Sequence, residues 1–365
     1  MSYSVAVSTN ESAPSDDDQA APAGIDVAAI TDWLATAVSQ TGGEVVGGLS
    51  FDQITGGRSN LTFRVSDEAG NQWALRRPPT GHVLATAHDM GREHRVMSAL
   101  EPTAVPVPKM VGLCTDESVN GADFYVMEWV EGTVVRNKNT ALDFDLDTRR
   151  TMSISTIENL VKIHQIDIDE VGLGDFAKRE GYIERQLRRW RRQVDAVETP
   201  TDPLVISAHE KLVAAMPEQG PARLVHGDYR LDNTIIDDSG QVIAVLDWEL
   251  TTLGDPLADL GAMLTYWTRP GDEIAALDEP PTMADGFIER DEVISVYEDA
   301  IGEKVSNIGY YQAFATWRLA CILDGVVDRY RAGAMGNDDG FDVEDWAERV
   351  SSLAAKALEF MGEDS

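Results

Sequence analysis

The stretch RLVHGDYRLDNTIIDDSGQVIAVLDWE, residues 223–249, decides how the rest of the chain is read. An apolar run (RLV) leads into a polar octet, HGDYRLDN, from His226 to Asn233. A second apolar run (TII) follows, and Asp-Asp-Ser-Gly then turns the chain toward VIAVLDWE. Short apolar runs on either side of such a turn predict a β-hairpin. Asp228 and Asn233 stand five positions apart on one tight loop and can converge on a metal. Asp247 closes the returning strand and is expected to face them. Hard oxygen donors of this kind suit Mg²⁺, which keeps several waters and binds together with substrate phosphates. Phosphoryl transfer needs a carboxylate near the accepting hydroxyl and fixed oxygen ligands for the metal, and little covalent help beyond that.

Upstream, the texture is β-rich. LSFDQITGGRSNLTFRVSDEAGNQWALRRPP reads as strand, loop, strand, turn, strand, after a helix (IDVAAITDWLATAV) for which Asp26 is the N-cap. In WALRRPP, strand alternation puts Ala74 and Arg76 on one face and Trp73 and Leu75 on the other. AHDMGREHRVMSAL is a helix in which Glu93 shares a stripe with Val96, Met97 and Leu100. A carboxylate on a buried stripe needs a cation, and Arg76 is the natural one. The Gly-Gly pair of ITGGRSN, between the first two strands, is by itself more often a plain turn, but ITGGRSNLTFRV resembles the phosphate-covering loop of phosphotransferases of small molecules, which implies that Gly56, Gly57, Ser59, Asn60 and their backbone N–H groups reach the phosphates of ATP. A proline-rich link, a strand and the apolar segment FYVMEWVEG complete this half.

Downstream of about Leu142 helices dominate, interrupted only by the hairpin stretch. They return around Leu257, Asp291, Tyr311 and Val343. Residues from about 267 to 287, rich in Pro, Gly, Asp and Glu, read as a surface loop or insertion. His164 continues the stripe Ile157, Leu160, Val161 and reads as a core histidine. In GDPLADLG, Asp255 reads as a helix cap and Asp259 as an anchor back to the catalytic loop.

The chain has 365 residues, 43% of them apolar, with 63 acidic against 30 basic side chains and a formal net charge of −33. So negative a field repels nucleic acid and anionic membranes. No apolar run approaches the roughly 20 residues of a spanning helix. Cys114 and Cys321 are too few for a disulfide framework and lack metal-ligand spacing, which points to a reducing, cytoplasmic setting. Residues 1–24 are expected to be a disordered leader.

HGDYRLDN resembles the catalytic loop of the aminoglycoside phosphotransferases and their choline, fructosamine and homoserine kinase relatives, which carry His-Gly-Asp where protein kinases carry His-Arg-Asp. The resemblance implies an α+β, two-lobed protein-kinase-like fold. The N-lobe, residues 25–132, would be a small antiparallel sheet with one key helix, and the C-lobe, residues 133–365, larger and mainly helical. It implies Asp228 as catalytic base, Asn233 and Asp247 as Mg²⁺ ligands, His226 and Asp259 as structural support, and ATP as phosphate donor. WALRRPP resembles the kinase strand in which a small residue roofs the adenine and a lysine two positions on meets the phosphates. Here Arg76 replaces that lysine, keeping the charge but not its point-like geometry. Glu93 would be its helix partner. FYVMEWVEG resembles the lobe-connecting hinge, with the Glu128 carbonyl and Val130 amide toward the adenine edge and Met127 lining the pocket.

The stretch after Asp247 runs almost directly into GDPLADLG and leaves no room for a peptide-docking segment, so a small-molecule acceptor is expected. YIERQLRRWRRQV concentrates arginines, among them Arg185, Arg188 and Arg192, in an acidic chain. They read either as a solvated face paired with neighbouring acids or as a site for an anionic substrate. LRRPPTG, AHDMGREHRV, ERQLRRW and LDWELTTLGDPLADLG together resemble one branch, the phosphotransferase-like domains related to those fused to acyl-CoA dehydrogenases. That branch implies a hydroxyacyl or hydroxyacyl-CoA acceptor. Two alternatives stay open at this point: a kinase of aminoglycosides or other cationic amino alcohols, and a non-catalytic nucleotide- or acyl-CoA-binding protein.

Overall fold

The computed structural model describes residues 22–54, 60–80, 89–272, 279–333 and 342–363. Gly56, Gly57 and Ser59, and nearly all of the expected leader, lie outside them. The chain divides into two compact units, of which one runs through Glu131 and also takes in Asp247–Glu249, while the other holds Gly132–Leu246 and continues from Leu250.

The first unit is built on alternation. Helix α1 (Val27–Gln40) starts where Asp26 accepts the Ala29 N–H at 3.1 Å. Strands β1 (Ser50–Ile54), β2 (Leu61–Ser66) and β3 (Gln72–Arg77) follow, then α2 (Met90–Leu100), β4 (Met110–Cys114), the short α3 (Glu117–Asn120) and β5 (Phe124–Glu128). The strands form an antiparallel sheet ordered β1-β2-β3-β5-β4. The Asp67 carboxylate turns β2 into β3 by accepting the N–H groups of Ala69 and Asn71. One face of the sheet carries Phe63, Val65, Trp73, Leu75, Phe124 and Val126, which pack with Ile30, Leu34 and Val38 of α1. Each such side chain contributes about 1.5–3 kcal/mol when withdrawn from water. Pairing of Ala74 with Met127 and of Arg76 with Tyr125 puts these four on the opposite face.

The second unit is mainly helical. Its elements are α4 (Lys138–Leu142), α5 (Leu146–His164), α6 (Tyr182–Val194), α7 (Pro203–Ala214), β6 (Arg223–Val225), β7 (Thr234–Ile236), β8 (Val242–Val245), β9 (Thr252–Gly254), α8 (Leu257–Tyr266), α9 (Arg290–Ile301), α10 (Ile308–Arg331) and α11 (Val343–Glu363). The predicted hairpin forms as the β7–β8 pair, with Asp237 accepting from Ser239 and Gln241 in its turn. β6 pairs instead with β9. Phe314 and Trp317 of α10 form a core with Val205 and Leu212 of α7 and with Val350 and Leu353 of α11.

The expectation of a surface loop over 267–287 holds for residues 270–272 and Glu279, which are exposed, and is corrected at its two ends. In its described parts Trp267, Pro281, Thr282, Ala284 and Phe287 are buried. Trp267 donates its indole N–H to Ile288 O at 2.9 Å, and Thr282 its hydroxyl to Thr268 O at 2.8 Å. The polar composition concealed two aromatic anchors, which decide the packing. Among the described residues no helix is long and apolar enough to cross a membrane.

Candidate active site

The loop between β6 and β7 is shaped by one carboxylate and one glycine. Asp259, on the first turn of α8 and fully buried, accepts the N–H of His226 through Oδ2 (2.6 Å) and that of Gly227 through Oδ1 (2.8 Å). Burial works against its charge. His164, His226 and the loop amides outweigh that penalty and hold the carboxyl below its usual range. His164, the expected core histidine, sits between Asp259 (3.4 Å) and the Tyr297 hydroxyl (2.8 Å). His226 accepts the Asp228 N–H at Nδ1 (3.3 Å), and its Nε2 meets Leu246 O at 3.0 Å, which assigns the ring proton to Nε2. Gly227 has φ +88°, and a Cβ there would stand 2.6 Å from Leu250 O. Only glycine fits that position.

Asp228 emerges from this braced loop. The Asn233 amide donates to Asp228 O (2.8 Å) and Oδ2 (3.0 Å), and Arg230 Nε lies 3.4 Å from the same Oδ2. Because Asn233 spends its nitrogen on Asp228, its Oδ1 is the atom left to act as an acceptor. Arg230 also pairs with Asp232 at 3.0 Å and lies over the Tyr266 ring, 5.0 Å from its centroid. Burial pushes the Asp232 carboxyl up, against the pull of Arg230. Beside Asp228 opens a cavity of about 240 Å³, lined by Arg189, Trp190, Arg230, Tyr266 and Arg318 among others. Arg318 donates to Gly227 O at 2.9 Å.

The first unit holds a second cluster. Arg76 Nη2 donates to Asp247 Oδ1 at 2.6 Å and lies 3.7 Å from Glu249 Oε2. Its Nε lies 3.3 Å from Glu93 Oε2 but makes no hydrogen bond to it, so that contact is Coulombic. Glu93, on the buried stripe of α2, accepts from the Tyr125 hydroxyl (2.9 Å) and the Asn60 amide (3.0 Å), and that amide also reaches Glu249 Oε2 at 3.3 Å. Burial pushes the Glu93 carboxyl up to about 7 despite Arg76, with Asp247 and Glu249 adding to the rise. Arg76 is held well above its usual range: burial opposes its charge, while Tyr125, Glu93 and Asp247 more than compensate. Asp247 adopts φ +64°, a left-handed conformation that costs a non-glycine residue roughly 1–3 kcal/mol.

The sequence-predicted residues therefore fall into two groups. Asp228, Asn233, His226 and Asp259 share one loop and its anchor in the second unit. Arg76, Glu93, Asn60 and Asp247 share one ionic cluster in the first. Asn60 is buried and turned onto Glu93 and Glu249. Ala74 and Met127 are buried on the sheet face that carries Arg76, Glu128 is exposed at the end of β5, and Val130 is half-buried beyond it. Arg185, Arg188 and Arg192 do not line the cavity. Arg185 donates to the carbonyls of Glu180 and Lys178, and Arg188 pairs with Glu184 on an exposed face. Arg189, one of the arginines the sequence concentrates in YIERQLRRWRRQV, does line the cavity, whereas Arg230, Asp232, Arg318, Tyr125 and Glu249 were missed by sequence reasoning. Arg230 was in view two positions after Asp228, and Tyr182, Gln186, Arg189 and Trp190 mark one face of α6 by their spacing.

Among the described residues no three acidic, histidine or cysteine side chains converge as a ready metal cage. The donor chemistry nevertheless fits Mg²⁺, which takes one or two protein oxygens and completes its shell with phosphates and water.

A sequence profile of the phosphotransferase enzyme family matches residues 50–293. The chain is 36% identical over 319 residues to acyl-CoA dehydrogenase family member 10 of Mus musculus, covering 84% of this chain and 29% of that protein. It is 32% identical over 316 residues to family member 11 of Homo sapiens, covering 85% and 40%. The chain thus spans well under half the length of these relatives. Among solved structures it is similar to a Ralstonia eutropha protein carrying the provisional name aminoglycoside phosphotransferase (TM-score 0.76, 32% identity, 93% of this chain and 98% of that one). The streptomycin–ATP complex of APH(2")-IIa shares the fold (TM-score 0.58, 15% identity, 92% and 98%).

Proposed function

The chain belongs to the phosphotransferase enzyme family, and from that premise we propose that it is a small-molecule kinase that transfers the γ-phosphate of ATP to a hydroxyl of a hydroxyacyl or hydroxyacyl-CoA acceptor, with Asp228 as base. The observation that carries this reading is the bracing of Asp228. Its backbone and one carboxylate oxygen are held by Asn233, and its loop is pinned by Asp259, so the carboxylate is presented beside the cavity without the freedom of an ordinary loop residue. Such a carboxylate orients the acceptor hydroxyl and takes its proton late in a loose transition state.

Asn233, through Oδ1, and Asp247 are the residues that would hold Mg²⁺. Bound there with the nucleotide, the cation neutralises charge on the phosphate oxygens. Arg76 supplies the fixed positive charge for the phosphates, and Glu93 keeps Arg76 oriented. Ala74 and Met127, on the same sheet face, would line the adenine pocket with the backbone at Glu128 and Val130. The hydroxyacyl identity of the acceptor is supported by the names of the relatives and by arginines beside Asp228, which disfavour a cationic aminoglycoside.

The test is an acceptor screen with Mg-ATP, following ADP release and product mass. Hydroxy acids or their CoA thioesters should gain one phosphoryl group while aminoglycosides do not. Phosphorylation of aminoglycosides alone would overturn the acceptor class.

A further inference from the structure

We infer that Arg189 and Arg318, with Arg230 beside Asp228, form an anion subsite that selects acceptors carrying a carboxylate or phosphate group. This rests on the phosphotransfer reading and adds to it the side chains that choose the acceptor. The first observation is charge. The chain has 63 acidic against 30 basic residues, yet among the described residues the charged side chains lining this cavity are three guanidiniums and one carboxylate, that of Asp228. An acidic surface would not produce that local reversal by composition alone.

The second observation is pairing. Arg230 is committed to Asp228 and Asp232. Among the described residues, Arg189 and Arg318 have no carboxylate partner: Arg318 spends one nitrogen on Gly227 O, and Arg189 lies over the Trp190 ring, 5.6 Å from its centroid. Guanidiniums with unspent donors at a concave, partly apolar site match the planar oxygens of a carboxylate or phosphate. Trp190, which also lines the cavity, has an indole N–H that is buried without a partner among the described residues. An anionic oxygen is the acceptor such a donor lacks.

The geometry also separates the arginines of α6 by role. Arg189 shares a face with Tyr182, Gln186 and Trp190, all of which line the cavity, whereas Arg185 and Arg188 are engaged with carbonyls and with Glu184. Arg189 is therefore the specificity residue on this helix. Arg318 also positions the loop through Gly227, so its removal tests two things at once.

The experiment compares wild type, Arg189→Glu and Arg318→Gln on γ-hydroxybutyrate, its CoA thioester and the neutral butanediol of the same chain length. The readout is the ratio of kcat/KM for each anionic acceptor to that for the diol, which cancels any general damage to folding or ATP binding. Wild type should favour at least one anionic acceptor, and Arg189→Glu should lower that ratio by about tenfold or more, mainly through KM. A fall confined to the free acid identifies a carboxylate as the bound group, and a fall confined to the thioester identifies a CoA phosphate. An unchanged ratio for both anionic acceptors in both variants overturns the subsite. Turnover of none of the three, with ATP still bound, removes the phosphotransfer reading itself and the subsite with it.

Discussion

At the scale of single residues, the ionic cluster around Arg76 makes the sharpest statements about stability. Arg76 faces Glu93, Asp247 and Glu249, so Arg76→Ala leaves a buried carboxylate without its cation and should cost about 3–5 kcal/mol near neutral pH. Chemical denaturation measures that loss directly. Its pH dependence follows from Glu93, whose carboxyl is raised from an ordinary value of 4.5 to about 7. The folded state then binds this proton more tightly than the unfolded chain does. The contribution of Glu93 to stability is fully present below about 4.5 and is lost as pH rises through about 7. Glu93→Gln should therefore flatten the decline of stability between those values, and Arg76→Ala should steepen it. Melts of the three proteins across that range decide the matter, and parallel curves would show that Glu93 does not titrate there. Asp247, at φ +64°, belongs to the same cluster through its 2.6 Å contact with Arg76.

At the scale of elements, the β6–β7 loop is rigid because a helix start and a glycine agree on its path. Gly227→Ala would drive a Cβ to 2.6 Å from Leu250 O at a backbone angle that side chains rarely adopt, so the loop must shift. The expected result is a fall in kcat of at least about 10²-fold with a loss of stability of only about 1–3 kcal/mol. Equal kcat in wild type and variant would mean that the loop path does not govern the chemistry. The hairpin and this loop were legible in the sequence because their signals are local: HGDYRLDN, Asp-Asp-Ser-Gly and the apolar runs lie within 27 residues. The pairing of Arg76 with Glu93 was legible as well, since strand alternation and the α2 stripe each placed one partner. The cavity wall was not. Arg318 reaches Gly227 across 91 residues of sequence, and no periodicity connects them. The ends of segment 267–287 misled for a different reason, because the composition is that of a surface loop while Trp267 and Phe287 bury those ends.

At the scale of the whole molecule, fold class and charge are the two properties that sequence alone conveyed. A β-rich half followed by a helix-rich half resolves into two compact units, as alternation and helical periodicity require. The net charge of −33 implies self-repulsion, which salt screens. The melting temperature should therefore rise by a few degrees between about 0.05 M and about 0.5 M KCl, and a flat or falling trend would show that the charge is already compensated in the fold. Against that acidic background, the arginine-lined cavity beside Asp228 is the feature on which the proposal of an anionic phosphoryl acceptor rests. The most direct measurement of the central claim is transfer of label from γ-³²P-ATP to a hydroxy acid or its CoA thioester, with wild type and Asp228→Asn at equal nucleotide occupancy. The account predicts labelled acceptor with wild type and a loss of about 10³-fold or more in the variant, with ATP binding retained; equal labelling by both proteins would contradict it.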